Sequence, residues 1–298
     1  MKSMLVMIKR NMRLFFKDKG MFFTSLITPA ILLVLYATFL GNVYRDSFTS
    51  NLPMAELVSE EVIEGLVGGQ LISSILAVSC VTVAFCSNFL MVQDKSNGAL
   101  KDFSVSPINP SILSVSYYFA TLASTLIICI AAMALCLVYV MAVGWYMTAL
   151  DVILLLFDVV LLVLFGTALS SIVNFFLTSQ GQISAVGTIV SSGYGFICGA
   201  YMPISSFGEG LRHFISFLPG TYGTALVRNH SMRGALEALA DEGVPTAGIE
   251  ELKDVLDCNL YFFDNRVEEP IMYMILVGTV AALVAVYIIM NVMAKKKK

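Results

Sequence analysis

Residues 103–150 read FSVSPINPSILSVSYYFATLASTLIICIAAMALCLVYVMAVGWYMTAL, and no Asp, Glu, Lys or Arg interrupts them. The stretch opens on Ser106-Pro107-Ile108-Asn109-Pro110-Ser111, a helix-breaking start. From there it runs apolar to Trp145. Tyr117 and Tyr118 lie near one end, with Trp145 and Tyr146 near the other. A helix rising 1.5 Å per residue separates the two pairs by about 42 Å, close to a bilayer with its headgroups. Aromatic side chains gather at both membrane interfaces. The spacing therefore predicts one long membrane-crossing helix.

Working outward, charge-free stretches also occupy 20–44, 65–93, 159–208 and 270–294. A crossing needs about 20 mostly apolar residues. The stretch 159–208 supplies two, because the polar turn Thr178-Ser179-Gln180-Gly181-Gln182 breaks it. Six spans result, at about 21–41, 67–92, 112–145, 150–177, 183–202 and 270–293. Of the 298 residues, 58% are hydrophobic and 13% charged, where a soluble domain carries roughly 25% charged. That balance excludes an ordinary cytosolic enzyme, a disordered regulator and a disulfide-stapled secreted scaffold. The fold class is an all-α integral membrane protein.

Charge sets the expected orientation. Lys2, Lys9, Arg10, Arg13, Lys17 and Lys19 precede the first span, and Lys295 to Lys298 form a basic tail, 294–298. An even number of spans puts both termini on one side, and basic flanks mark the cytoplasmic side. The opposite loops are acidic: Asp46, Glu56, Glu60, Glu61 and Glu64 follow span one, and eleven acids face five bases between Glu209 and Glu269. Residues 1–19 are expected to form a helix lying in the headgroup plane rather than a cleaved signal peptide. Met4, Leu5, Ile8, Met12, Phe15 and Phe16 make its apolar arc, with Lys9, Arg10 and Arg13 opposite. A simple anchor and a force-transmitting element ask for the same pattern.

The chain lacks the motifs of bond chemistry. No G-x-x-x-x-G-K-[ST] phosphate loop, H-E-x-x-H or G-x-S-x-G occurs. His213 and His230 are its two histidines, and its six cysteines show no C-x-x-C spacing. No metal site, resident cofactor or catalytic dyad is expected.

Three features remain as candidates. Gly187, Ser191, Gly195 and Gly199 recur every four residues along span five, which lets backbones approach closely; such a stripe packs within one subunit, or lines a translocation path or a subunit seam. Asp158 sits below Asp151 in span four, where a carboxyl is costly unless paired, protonated or facing water. It is either functional or bonded to a neighbouring Ser, Thr or Tyr, since no span carries a base. The loop 93–111 holds the turn Asn97-Gly98, then Leu100 and Phe103 one helical turn apart, then Pro107. A helix that short needs a partner's groove to be stable.

That loop, with an acidic residue, Gly-small-Leu and a Ser-Pro-Ile tail before span three, resembles the permeases of the second ABC-transporter membrane family, which includes drug, antibiotic and polysaccharide exporters. Gly199-Ala200-Tyr201-Met202-Pro203-Ile204, then Leu218-Pro219-Gly220-Thr221-Tyr222 and Arg228, is similar to the family's outer re-entrant segment after span five. The resemblance implies a coupling role for Asp94, Gly98, Leu100, Phe103 and Pro107, with Met4, Ile8, Met12 and Phe15 on the interfacial helix beside them. It implies a re-entrant segment using Pro203, Pro219, Tyr222 and Arg228. It further implies ATP and Mg on a separate ABC ATPase subunit, a second copy or a sister permease, contact with membrane lipid and no nucleic acid, in a plasma membrane. Residues 203–269 form the outer segment, whose part after Ser231 reads as two short amphipathic helices parted at Gly243-Val244-Pro245. The interior suits export of a hydrophobic or amphipathic substrate. Two other readings stay open: an ATP-independent secondary transporter or channel, and a peptide-sensing or immunity membrane protein.

Overall fold

A helix that is apolar on every side must be buried on every side, and α4 (Glu60–Ser96) meets that demand along its whole apolar length. The computed structural model describes residues 2–51, 58–105, 110–263 and 265–296. Ser59 caps α4 by accepting from the Val62 amide, and Glu60 and Glu61 sit at the positive end of its dipole. Around it pack α2 (Lys19–Leu35), α6 (Pro110–Val143), α7 (Ala149–Phe176), α8 (Gln180–Ile197) and α10 (Pro219–Asp241). Such crowding needs small residues at the crossings. A Cβ added at Gly69 would come within 2.7 Å of the Ser231 carbonyl, and one at Gly166 within 2.6 Å of the Cys80 carbonyl.

The remaining elements dress this bundle. Helix α1 (Lys2–Lys17) lies mainly against α6, and α12 (Glu269–Lys296) against α7 and α10. Asp18 starts α2 by accepting from the Met21 amide at 3.1 Å. Helix α2 does not stop near residue 41: a π turn, Tyr36–Leu40, passes it into α3 (Gly41–Asn51). Tyr36 bonds Ser74 of α4 at 3.0 Å and stacks on Tyr44, while Arg45 pairs with Glu64, so α4 supports the extension. The third span ends earlier than expected. Helix α6 stops at Val143, and Trp145 and Tyr146 sit in the non-helical turn 144–148 before the Thr148–Asp151 capping box that starts α7.

Among the described residues, five helical stretches are long and apolar enough to cross a membrane: Lys19–Ser50, Glu60–Ser96, Ser111–Val143, Ala149–Phe176 and Glu269–Ala294. Helix α8, expected to be a sixth, has 18 residues, about 27 Å of helix. Its Gly, Ser and Thr content makes it less apolar than the others.

The segment 203–269 departs most from expectation. A 3-10 turn, Ile204–Ser206, and α9 (Glu209–Ser216) lead into α10, a single 23-residue helix that returns into the bundle and buries most of its length against α4, α7 and α12. Only α11 (Thr246–Val255) matches a short cap helix. The chain is not wholly helical, because β1 (Leu260–Phe262) and β2 (Asn265–Val267) pair as an antiparallel hairpin. Leu260 faces Val267 and both are buried, so the hairpin is pinned by one apolar pair.

Candidate functional site

The small residues of α8 face α2 across a groove of about 980 Å³ floored by α4. Gly187, Ser191, Ser184, Thr188 and Ser192 form one wall, Thr24, Ile27, Ile31 and Leu35 the other, with Cys86, Phe89 and Gln93 beneath. Ile27, Ile31, Leu35, Thr188 and Ser192 are exposed, so the groove is open along its side. Apolar walls carrying a few hydroxyls suit an elongated, amphipathic guest.

The four-residue stripe is not one surface. Gly187 and Ser191 line the groove, with Phe89 directly behind Gly187. Gly195 is buried under the Tyr201 ring, which folds back along α8 so that its hydroxyl donates to the Ser191 carbonyl at 3.3 Å. Gly199 lies beyond the helix at φ +72, a left-handed stop that glycine adopts without strain. The Gly195–Gly199 pair is therefore a turn around a tyrosine, not a helix seam.

At one end of the bundle, the segment expected to face a partner is partly spent on the protein itself. Asp94 is buried; Arg10 donates to its two carboxylate oxygens at 2.6 and 3.1 Å, and the Tyr117 hydroxyl donates at 2.5 Å. Burial works against the Arg10 charge, but the Asp94 bond and charge outweigh it and hold the guanidinium above its usual value. Arg10, assigned to the solvent-facing arc, turns inward because Asp94 offers it a carboxylate. The same guanidinium lies 5.0 Å from the centre of the Phe103 ring. Met4, Ile8 and Met12 are half-buried and Phe15 fully buried, whereas Leu5 and Phe16 of the expected arc are exposed.

The next residue, Lys95, donates to the carbonyls of Asn174, Phe175 and Leu177 at 2.7–3.2 Å and so caps the end of α7. Asn97 ends α4, and Gly98 at φ +81 turns the chain into α5 (Ala99–Val105). Leu100 packs against the chain's own core, and Phe103 is half-buried. Pro107 lies outside the described residues. Adjacent side chains, Asp94 and Lys95, thus tie α1 and α6 to α4 on one side and α7 on the other.

Asp158 meets a tyrosine, one of the expected kinds of partner, and a histidine, which is not. Its Oδ2 lies 2.6 Å from His230 Nδ1, and its Oδ1 accepts from the Tyr273 hydroxyl at 2.6 Å. Asp158 and His230 are both buried, and the cluster joins α7, α10 and α12. His230 had been placed outside the membrane; it reaches Asp158 because α10 enters the bundle. Farther along the α7–α10 seam, Arg233 pairs with Asp151 at 3.1 Å.

The residues assigned to a re-entrant segment form the joint above the groove. Pro203 precedes the 3-10 turn, Pro219 opens α10, and Tyr222 donates to the Ser216 carbonyl at 2.6 Å. Arg228, fully buried, donates to the carbonyls of Gly199 at 2.6 Å and Leu256 at 2.8 Å, and lies 3.6 Å from Asp257. Burial pushes the Asp257 carboxyl up to about 6, against the pull of Arg228 and of the Ile204 amide that donates to it at 2.7 Å. Among the described residues, no group of three or more His, Cys, Asp and Glu side chains is placed to hold a metal ion.

The family model for the ABC-2 type transporter matches residues 2–230, from the first residues of α1 to the histidine that meets Asp158. This chain belongs to that family. A search of curated proteins gives no match. An ABC-2 membrane domain is a transport permease, so the groove, the α4–α5 corner and the two joints belong to a multi-pass membrane permease. Arg10, Lys95, Tyr117, His230 and Tyr273 were missed in the sequence. For all but Lys95, which caps α7, the one signal was that Asp94 and Asp158, once helical and buried, each required a donor.

Proposed function

We propose that the protein is the membrane-spanning permease subunit of an ATP-driven exporter that moves a hydrophobic or amphipathic molecule outward. Separate ATPase subunits, carrying ATP and Mg, act on the corner formed by α1, the end of α4 and α5. Two permease copies, or this chain and a sister permease, rock against each other, with α2, α4, α6, α7, α8 and α12 as six crossings and both termini cytoplasmic in a plasma membrane.

The observation that supports this reading best is the side-open groove between α2 and α8. A groove open along its side does not enclose a guest by itself, and a second subunit completes a path. Its test is transport of a fluorescent amphipathic probe into inside-out vesicles holding the permease with its ATPase. Gly187→Leu and Ser191→Leu, which fill the groove, should cut ATP-dependent transport at least tenfold while leaving insertion intact. Undiminished transport would remove the groove from the path. The buried Asp158–His230 pair favours the ATP-independent alternative, and transport by this chain alone, driven by an ion gradient without nucleotide, would establish that alternative instead.

A further inference from the structure

The cap carries a surface that export does not use. Phe214 near the end of α9 and Phe217 just beyond it are 59% and 61% exposed, and Phe262 and Phe263 at the hairpin tip are 37% and 46% exposed. Phe217, Phe262 and Phe263 form one cluster with His213: Phe217 meets Phe262 at 5.1 Å between centroids, Phe262 meets Phe263 at 5.1 Å, and His213 stacks on Phe263 at 4.5 Å. Leu211 extends the patch along α9. Phe263 holds φ +53, a left-handed conformation that bulky residues rarely adopt, and its ring is displayed outward all the same. Single exposed rings need no explanation, but three exposed phenylalanine rings in mutual contact mark a contact surface.

Two observations identify what the surface meets. The first is the tether. Strand β2 ends at Val267 and α12 begins at Glu269, so Phe263 lies within about 20 Å of the start of α12 even at full extension. Exposed apolar side chains begin on α12 at Ile271 and Met274, which sets the edge of the hydrocarbon at its first turns, with a headgroup layer roughly 5–7 Å deep above it. The second is the two-sidedness of the hairpin. Register puts Tyr261 opposite Arg266 on the face away from Phe262. There Tyr261 donates to Asp254 and Arg266 to Glu250, so that face is spent on polar contacts while Phe262 projects from the other.

We propose that the aromatic tip of the β1–β2 hairpin, with the exposed face of α9, inserts into the headgroup layer of the adjoining bilayer leaflet and anchors the cap there. Rings with an apolar body prefer that depth. The anchor holds the outer segment against the bundle at the end of α12, whatever the protein transports.

The test is fluorescence depth measurement on the full-length protein in lipid vesicles. Trp145, the one tryptophan of the chain, is replaced by Phe, and Phe263→Trp or Phe217→Trp supplies the probe. Lipids brominated high on the acyl chain should quench both probes at least twofold, more than lipids brominated near the chain end, with little quenching by aqueous iodide. Strong iodide quenching, or a probe shielded from both iodide and brominated lipid, would overturn the proposal: the first places the tip in water, the second against protein such as a second copy. Two probes on separate elements keep the result readable if one substitution disturbs the hairpin.

Discussion

Replacing His230 by Leu removes both ring nitrogens at nearly constant volume and leaves the buried Asp158 with the Tyr273 hydroxyl as its remaining partner. Removing one member of a buried pair costs about 3–5 kcal/mol, because the other member stays desolvated and uncompensated. For a chain of this size, whose unfolding entropy is about 0.6 kcal/mol per degree, that lowers the apparent Tm by about 5–8 °C. Removing both members is a different perturbation. Asp158→Leu with His230→Leu leaves no orphaned carboxyl, and hydrophobic replacement of a buried pair is often neutral. The unmet need is then the Tyr273 hydroxyl, so the double variant should fall within about 2 kcal/mol of the parent. Thermal unfolding in detergent, followed by near-ultraviolet circular dichroism, measures the parent, both single variants and the double. The double should be more stable than His230→Leu alone. If instead the losses add within about 0.5 kcal/mol, the two side chains do not interact and the α7–α10–α12 joint is misassigned. A separate readout addresses function: Asp158→Asn that exports equally across a range of pH makes the cluster purely structural.

At the coupling corner, Leu100→Asp and Phe103→Asp should leave the protein inserted but abolish ATP-dependent transport, and wild-type transport rates in either variant would refute the assignment. Arg10→Gln should weaken the same corner by about 1.5–3 kcal/mol, the range for a charge-assisted hydrogen bond, and expose α1 to protease; unchanged cleavage would show that Asp94 does not hold it. The cap should loosen as pH rises. Unfolded Asp titrates at about 3.9, whereas burial pushes Asp257 in the cap up to about 6. Its stabilising contribution is thus complete below the lower value and lost as pH passes the higher one, a change of about 3 kcal/mol. Amide hydrogen exchange of α11 and the hairpin between pH 4 and 7, corrected for intrinsic rates, should show it, and Asp257→Asn should flatten the dependence. Equal pH dependence in that variant would assign the effect to another group.

The extent of reading from sequence varied by element for physical reasons. The gap 65–93 located α4 because hydrocarbon excludes charge locally, but not its ends, since Glu60 and Lys95 lie on helix turns beyond the apolar core. The hairpin was hidden because Leu260-Tyr261-Phe262 and Asn265-Arg266-Val267 are too short for a periodic signal, although their aromatic and β-branched residues favour strands. The stripe of Gly187, Ser191, Gly195 and Gly199 looked uniform because periodicity assumes a continuing helix, and the chain left the helix before Gly199. The apolar face of α5 was legible as a pair, Leu100 and Phe103, but not its partial use by the chain's own core and by Arg10.

Sequence by itself determined the membrane class, the main apolar stretches and the basic amphipathic start, because each rests on the solvation of a residue among its near neighbours along the chain, and the family was legible in the order of its motifs. Tertiary structure decided which polar groups meet. Asp158 and His230 are 72 positions apart, Arg10 and Asp94 are 84 apart, and a carboxyl's need for a donor says nothing of which distant donor arrives. That choice was made when α10 entered the bundle and α1 lay down on α6, where burial made every unpaired polar group expensive.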